Sequence, residues 1–246
     1  MIIAVTNHKG GTGKTTTAVN VAAGLTQRGA RALLIDLDPQ NNIAVSLAID
    51  AGETQTIYAG FKSGKLPPAI KHGSNIDVIP GALDLASLEM EMIGEAGREY
   101  ITKELITPAR AVYDYIILDC PPSLGLLTIN ALTAADIALI PVQTEYLAVK
   151  GVTKITEIIS KIKKRLNPSI SAYIVLTRYS QNKILNRNVK EAIEGAYSGS
   201  VLGVIRENIA VAEASAAGNP VISYAPKSAG ALDYTELTAK IMELKQ

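Results

Sequence analysis

Short apolar runs alternate with longer stretches of mixed polarity from one end of the chain to the other. The runs Ile2–Thr6, Ala32–Asp36, Ile76–Pro80, Tyr115–Asp119, Ile137–Val142, Ser171–Thr177 and Val201–Ile205 are strand-like. Between them, Ala18–Leu25, Leu83–Ile93, Val152–Leu166 and Leu232–Leu244 place apolar residues every three or four positions, the spacing of a helix with a buried face. Strand, helix and strand in repetition predict an α/β fold. Its core is a doubly wound, mostly parallel sheet flanked by helices on both faces, with right-handed crossovers. Two stretches break the rhythm and read as excursions from the sheet: Ala51–Ser74, rich in Gly, Lys and Pro, and the polar Ser180–Asn188. No repeat, low-complexity segment or long linker divides the chain, so residues 1–246 are read as a single domain.

Composition and the longest apolar runs add further constraints. Hydrophobic residues make up 48% and charged residues 19%, which supports a large core. With no Trp and one Phe, that core must be built from Ala, Ile, Leu and Val, which suits parallel strands covered on both faces. No apolar run approaches the roughly 18 residues of a spanning helix, and the longest candidate, Ile137–Val142, is broken by Pro141. Met1 leads directly into Ile2-Ile3-Ala4-Val5 without a basic region, so a cytoplasmic protein is expected. Cys120 is the only cysteine, which excludes an intrachain disulfide and a thiolate cluster within one chain. A net charge of +1 gives no whole-molecule attraction to nucleic acid, so any such binding needs a local patch.

The first run is followed by Asn7-His8-Lys9-Gly10-Gly11-Thr12-Gly13-Lys14-Thr15-Thr16 and then an Ala- and Val-rich helix. This is the strand, glycine turn and helix of a P-loop. Glycines let successive backbone N–H groups converge on phosphate oxygens, and the helix N-terminus adds positive potential. Lys14 would reach the β- and γ-phosphates, and the Thr15 hydroxyl would bind Mg²⁺. The general pattern has Gly where this chain has His8, but Lys9 before the glycine pair completes K-G-G-x-G-K-T-T. On those residues the chain resembles the ParA/Soj and MinD family of deviant Walker-A ATPases. The resemblance implies that Lys9 reaches across a nucleotide-sandwich dimer to the phosphates of the other subunit, so that ATP holds a homodimer together and hydrolysis releases it.

Two further segments resemble the family's switch regions: Leu34-Ile35-Asp36-Leu37-Asp38-Pro39-Gln40 and Ile117-Leu118-Asp119-Cys120-Pro121-Pro122-Ser123. Each follows an apolar strand and so delivers carboxylates to the carboxyl edge of the sheet, where open α/β folds bind ligands. An isolated Asp at a strand end is ordinarily a turn or cap residue; three motif segments in order change that reading. The resemblance implies Asp119 as the acid that holds Mg²⁺ through water, Asp36 as support for the metal shell, and Asp38 as the residue that orients the attacking water. The family commonly has Gly-Asn where this chain has Asn41-Asn42, a departure expected to alter the mobility of the switch loop. Cys120 reads as a small buried apolar residue.

Near the C-terminus, Glu213-Ala214 and Gly218-x-Pro220-Val221 resemble the ParA/Soj rather than the MinD pattern. A MinD-like chain would end in a basic amphipathic helix for membrane attachment, whereas Leu232–Gln246 reads as a packing helix, so no membrane partner is expected. The iron–sulfur and nitrogenase-reductase relatives need cysteine pairs and are excluded. The resemblance implies non-specific DNA binding by the ATP dimer, association with the nucleoid in that form, and a ParB-like centromere-binding partner that stimulates slow hydrolysis. It also makes Arg206 and Asn208 candidate adenine contacts. Lys183, Arg187 and Lys190 recur at helical spacing and are the candidate DNA contacts, with a second cluster at Lys154, Lys161, Lys163, Lys164 and Arg165. Where family members carry basic residues around the Asn, this chain has Glu207 and Ala210. Either the patch has moved to the Lys183–Lys190 region, or the switch reads a protein or membrane cargo instead.

Overall fold

The computed structural model describes residues 1–73 and 75–245; Ser74 and Gln246, the last residues of two segments singled out above, lie outside the described residues. The chain opens with β1 (Ile2–Val5), α1 (Lys14–Gln27), β2 (Ala32–Asp36), α2 (Asn42–Ser46) and α3 (Ile57–Ser63). It continues through β3 (Ile70–His72), β4 (Ile76–Ile79), α4 (Leu85–Glu91), α5 (Ile101–Ile106), β5 (Tyr115–Asp119) and α6 (Leu126–Ala134). The second half holds β6 (Ile137–Gln143), α7 (Ala148–Arg165), β7 (Ser171–Tyr179), α8 (Ile184–Ala196) and β8 (Val201–Arg206). It ends with α9 (Ile209–Ala216), α10 (Val221–Tyr224) and α11 (Ala229–Glu243).

The eight strands form one sheet in the order β3-β4-β2-β5-β1-β6-β7-β8. All pairs are parallel except β3 with β4, where Ile70 faces Val78 and His72 faces Ile76. The seven strands expected from the apolar runs are all present. The eighth, β3, corrects the reading of Ala51–Ser74 as lying wholly off the sheet: three of its residues close one edge. Ser180–Asn188 is also shorter as an excursion than expected, because α8 begins at Ile184.

Alternation along each strand sends side chains to two separate cores. Ile2, Ala4, Leu33, Ile35, Ile116 and Leu118 face the side covered by α3 to α8. Ile3, Val5, Leu34, Ile117 and Leu139 face the side covered by α1, α2, α9, α10 and α11. The helices take their positions from the same chemistry. In α7 the buried residues Val152, Ile155, Ile159 and Ile162 form one stripe, and truncating one of these isoleucines to Ala would cost about 2–5 kcal/mol. In α11, Ala231, Tyr234, Leu237 and Ile241 are buried, and the Tyr234 hydroxyl lies 3.3 Å from Thr17 Oγ1 of α1. The apolar face of α11 is thus committed to the core, as a packing helix requires. Among the described residues no helix is long and apolar enough to cross a membrane.

Candidate nucleotide site

The central strand β1 runs between β5 and β6, so the loop that leaves it at Thr6 emerges in the middle of the sheet's carboxyl edge. Gly11 and Gly13 take φ of +72° and +88°, a region that costs other L-residues about 1–2 kcal/mol. These two residues turn the chain into α1. No side chain caps α1, and no acidic residue lies in its first turn. Its N–H groups and positive end are therefore open to an anion. Neighbouring strands brace the loop: Asn7 Nδ2 donates to Pro141 O at 2.7 Å, Lys9 N donates to Asn7 Oδ1 at 3.1 Å, and Thr177 Oγ1 donates to Thr12 O at 2.9 Å. Lys14, 8% exposed, folds back over the loop, with Nζ 3.3 Å from Lys9 O. Burial lowers its pKa, opposed by the charges of Asp119 and Asp38.

Strand register assembles the acidic part of the site. Asp119 lies beside Val5 in one pairing and beside Asp36 in the other, so Asp119 stands next to the strand that leads into the loop and Asp36 stands one strand further out. Thr15 Oγ1 donates to Asp119 Oδ2 at 2.6 Å, whereas the buried Asp119 Oδ1 has no hydrogen-bond partner. Asp36 accepts from Asp38 N at 2.9 Å and Ile43 N at 3.0 Å. Burial, and then the charge of Asp119, push the Asp36 pKa well above the usual carboxylate range. Burial likewise raises that of Asp119, against the Thr15 hydroxyl and Lys14. Two neighbouring buried carboxylates and an orphaned oxygen favour a cation at this point. Among the described residues, no group of three or more His, Cys, Asp and Glu side chains could hold a metal by itself. Magnesium fits that donor set, because it takes one or two protein oxygens and completes its shell with phosphate and water.

Asp38 is 6% exposed and accepts from Gln40 N at 3.0 Å. Asn41 adopts φ +51° and ψ +42°, the conformation glycine would supply, and its Oδ1 accepts from Gly81 N at 3.0 Å. The Asn41 side chain thus ties the loop to the strand-end turn after β4. Gly81 itself must be small, since a Cβ there would lie 2.6 Å from Asp38 O and 3.4 Å from Asp36 Cγ. Cys120 is fully buried, and burial raises its thiol pKa, which keeps it protonated and inert.

A family model described as an AAA domain matches residues 1–172. The sporulation initiation inhibitor protein Soj of Bacillus subtilis is 40% identical over 246 residues, covering 98% of this chain and 97% of Soj. The chromosome partitioning protein ParA of Myxococcus xanthus is 39% identical over 248 residues, covering 98% of this chain and 88% of that protein. The chain belongs to the ParA/Soj family. Among solved structures, the cobyrinic acid a,c-diamide synthase of Mycobacterium smegmatis with bound ADP and magnesium superposes with a TM-score of 0.81. It is 32% identical, with 98% of this chain and 94% of that one covered.

In this ParA/Soj-family chain the remaining candidates separate. Lys9 leaves the loop and forms an ion pair with Glu145, between β6 and α7, both side chains about half exposed. Arg206 and Asn208 line a cavity of about 240 Å³ beside Thr12, Gly13 and Thr16. Within it the Arg206 guanidinium is turned onto Asp233, with Nη2 at 2.6 Å from Oδ1, and Asn208 Oδ1 caps α9 by accepting from Ala210 N at 3.1 Å.

The candidate DNA contacts at the start of α8 and along it each have a partner within the chain. Lys183 pairs with Glu207 at 2.6 Å, Lys190 with Glu194 at 2.7 Å, and Arg187 Nη1 donates to Gln181 O at 2.7 Å. Glu207, already a charge reversal in sequence, pairs with one of the three cations expected to compensate for it. Sequence reasoning missed Glu145 and Thr177, which act on the loop across long sequence separations, and Gly81, which acts on the turn that carries Asp38 and Asn41.

Proposed function

We propose that residues 1–246 form a single P-loop ATPase domain that works as an ATP-dependent dimerising switch of the ParA/Soj type. In the ATP state it binds DNA without sequence preference and acts in DNA segregation. The observation that carries the reading is the Thr15–Asp119 contact at 2.6 Å, with the orphaned Asp119 Oδ1 beside Asp36. In this account the loop from Lys9 to Thr16 wraps the phosphates, Lys14 contacts the β- and γ-phosphates, and Thr15, Asp119 and Asp36 hold Mg²⁺. Magnesium held there would offset negative charge on the phosphates. Asp38 orients the water that attacks the γ-phosphorus, and ADP and phosphate leave. Lys9 of the partner subunit stabilises the charge that develops on the leaving oxygen. Hydrolysis is slow until a ParB-like centromere-binding protein completes the positioning of the water. The protein acts in the cytoplasm and associates with the nucleoid when ATP is bound.

The test is a pair of substitutions. Lys14→Ala is expected to lose ATP binding, and Asp38→Ala to bind ATP but not hydrolyse it. Normal ATP affinity in the first variant, or normal turnover in the second, overturns the site.

The pairing of Lys183 with Glu207 and of Lys190 with Glu194 favours a second cargo reading, in which the same switch positions a protein, as a MinD-like positioning ATPase would. Its membrane form conflicts with the committed face of α11. Flotation with anionic vesicles and ATP is expected to leave the protein in the soluble fraction.

A further inference from the structure

Six cations and a single carboxylate lie on α7, in a chain whose net charge is +1. At about 100° per residue, Lys150, Lys154, Lys161, Lys164 and Arg165 fall within about 100° of arc, while Lys163 lies about 150° from the centre of that arc. They form a row about 22 Å long on a helix that rises about 1.5 Å per residue. All five are exposed, and none is hydrogen-bonded or ion-paired among the described residues. Glu157 is the only acid within the arc. The Lys183–Lys190 group differs, since Lys183 and Lys190 are paired with Glu207 and Glu194, and of its cations only Arg187 has no carboxylate partner among the described residues.

We infer that the α7 row, rather than the α8 group, is the surface that takes duplex phosphates. The inference rests on the DNA-binding reading proposed above and names the part of the protein that does it. A row of unpaired lysines along one rigid helix suits a ligand with closely and regularly spaced charges, which a duplex presents as about one phosphate per 1.7 Å of axis. A lipid surface suits it less, because the apolar residues Val152, Ile155, Ile159 and Ile162 that would have to enter the bilayer are buried against the sheet.

The position of the row also places it beside the nucleotide loop. Lys150 and Lys154 share a cavity of about 460 Å³ with His8 and Lys9. Glu145, which holds Lys9, stands three residues before α7 begins. A Cβ on Gly151 would lie 3.7 Å from His8 Cε1, so the loop and the first turn of α7 are in close contact. A dimer formed through the nucleotide site would bring two such rows into one assembly and double the phosphates engaged.

The experiment compares the full-length protein with Lys161→Glu/Lys164→Glu/Arg165→Glu and with Lys183→Glu/Lys190→Glu, measuring binding to random-sequence duplex with Mg²⁺ and ATP across a salt series. Each neutralised phosphate contributes about 0.9 to the slope of log affinity against log salt. The α7 variant is expected to bind at least about tenfold more weakly, with the slope reduced by about 2 or more. The α8 variant is expected to stay close to wild type in both. ATP hydrolysis without DNA and the thermal melt should be unchanged in the α7 variant, since its three positions lie at the end of α7 remote from the loop. If the triple variant melts early, the corresponding Lys→Gln and Arg→Gln set replaces it.

Wild-type binding retained by the α7 variant and lost by the α8 variant overturns the inference while leaving the DNA-binding reading intact. Failure of the wild-type protein to bind duplex with ATP at any salt overturns both. In that case, capture of polyglutamate by wild type but not by the α7 variant would reassign the row to an acidic protein partner.

Discussion

Lys9, the lysine that begins the P-loop signature, is ion-paired with Glu145 of its own chain. A lysine that serves the partner's nucleotide must first leave this contact. An exposed pair of this kind is worth at most about 1 kcal/mol, so it can bias dimerisation but cannot prevent it. Glu145→Gln is accordingly expected to leave folding stability nearly unchanged and to strengthen ATP-dependent self-association up to about 25-fold, because each of the two subunits gives up one such pair and about 1.4 kcal/mol is a factor of ten. Sedimentation with Mg²⁺ and ATP reads the change, and weaker association would show that Glu145 belongs to the dimer contact rather than opposing it.

Asp119 combines a functional position with an unfavourable one. Its burial beside Asp36 raises the energy of the charged form. Asp119→Asn keeps an acceptor for the Thr15 hydroxyl and removes that charge. It is expected to raise stability by about 1 kcal/mol, which for a domain of this size is about 2–4 °C in Tm. Mg²⁺-dependent nucleotide binding should be lost in the same variant. A variant that is both less stable and fully able to bind Mg-ATP would contradict the metal assignment.

Asn41 holds a left-handed conformation and pairs with Gly81 N. Asn41→Ala should destabilise the fold by about 1–2 kcal/mol, because the conformation penalises a Cβ and the hydrogen bond is lost. Asn41→Gly should cost less and show faster amide exchange over the Asp38–Asn42 turn. Equal melts for the two variants would remove the conformational argument.

A methyl group at Gly81 would press on Asp38 O at 2.6 Å. Gly81→Ala is therefore expected to lower ATP turnover at least about tenfold, the effect of about 1.4 kcal/mol on the barrier, while ATP affinity stays nearer to wild type. Steady-state kinetics beside equilibrium nucleotide binding separates the two effects.

Much of this was readable in the order of residues. The central strands announce themselves as apolar runs because both faces of β1, β2, β5 and β6 are buried, and the edge strand β8 stays apolar although only Ile205 in it is fully buried. Asp36 and Asp119 could be placed at the sheet edge because each ends such a run. The strand β3 could not be read: three residues, Ile70, Lys71 and His72, are too few to show a period, and none of them is fully buried. The start of α8 was obscured by Asn186, which reads as a loop residue. It is buried because its Nδ2 donates to Thr144 O at 2.6 Å and its Oδ1 accepts from Ser180 N at 2.8 Å. Glu145 was invisible for a different reason. Its partner is 136 positions away, and only the pairing of β1 with β6 brings the two together. The cancellation of Lys183 by Glu207 is of the same kind, since each charge was visible but not their meeting.

The central claim is that ATP switches this protein into a form that binds DNA. Its most direct test is the binding of Asp38→Ala protein to random-sequence duplex, with Mg²⁺ and either ATP or ADP, across a salt series. Tight, salt-sensitive binding with ATP and none with ADP is the expected result. No binding with either nucleotide, or equal binding with both, would contradict the claim.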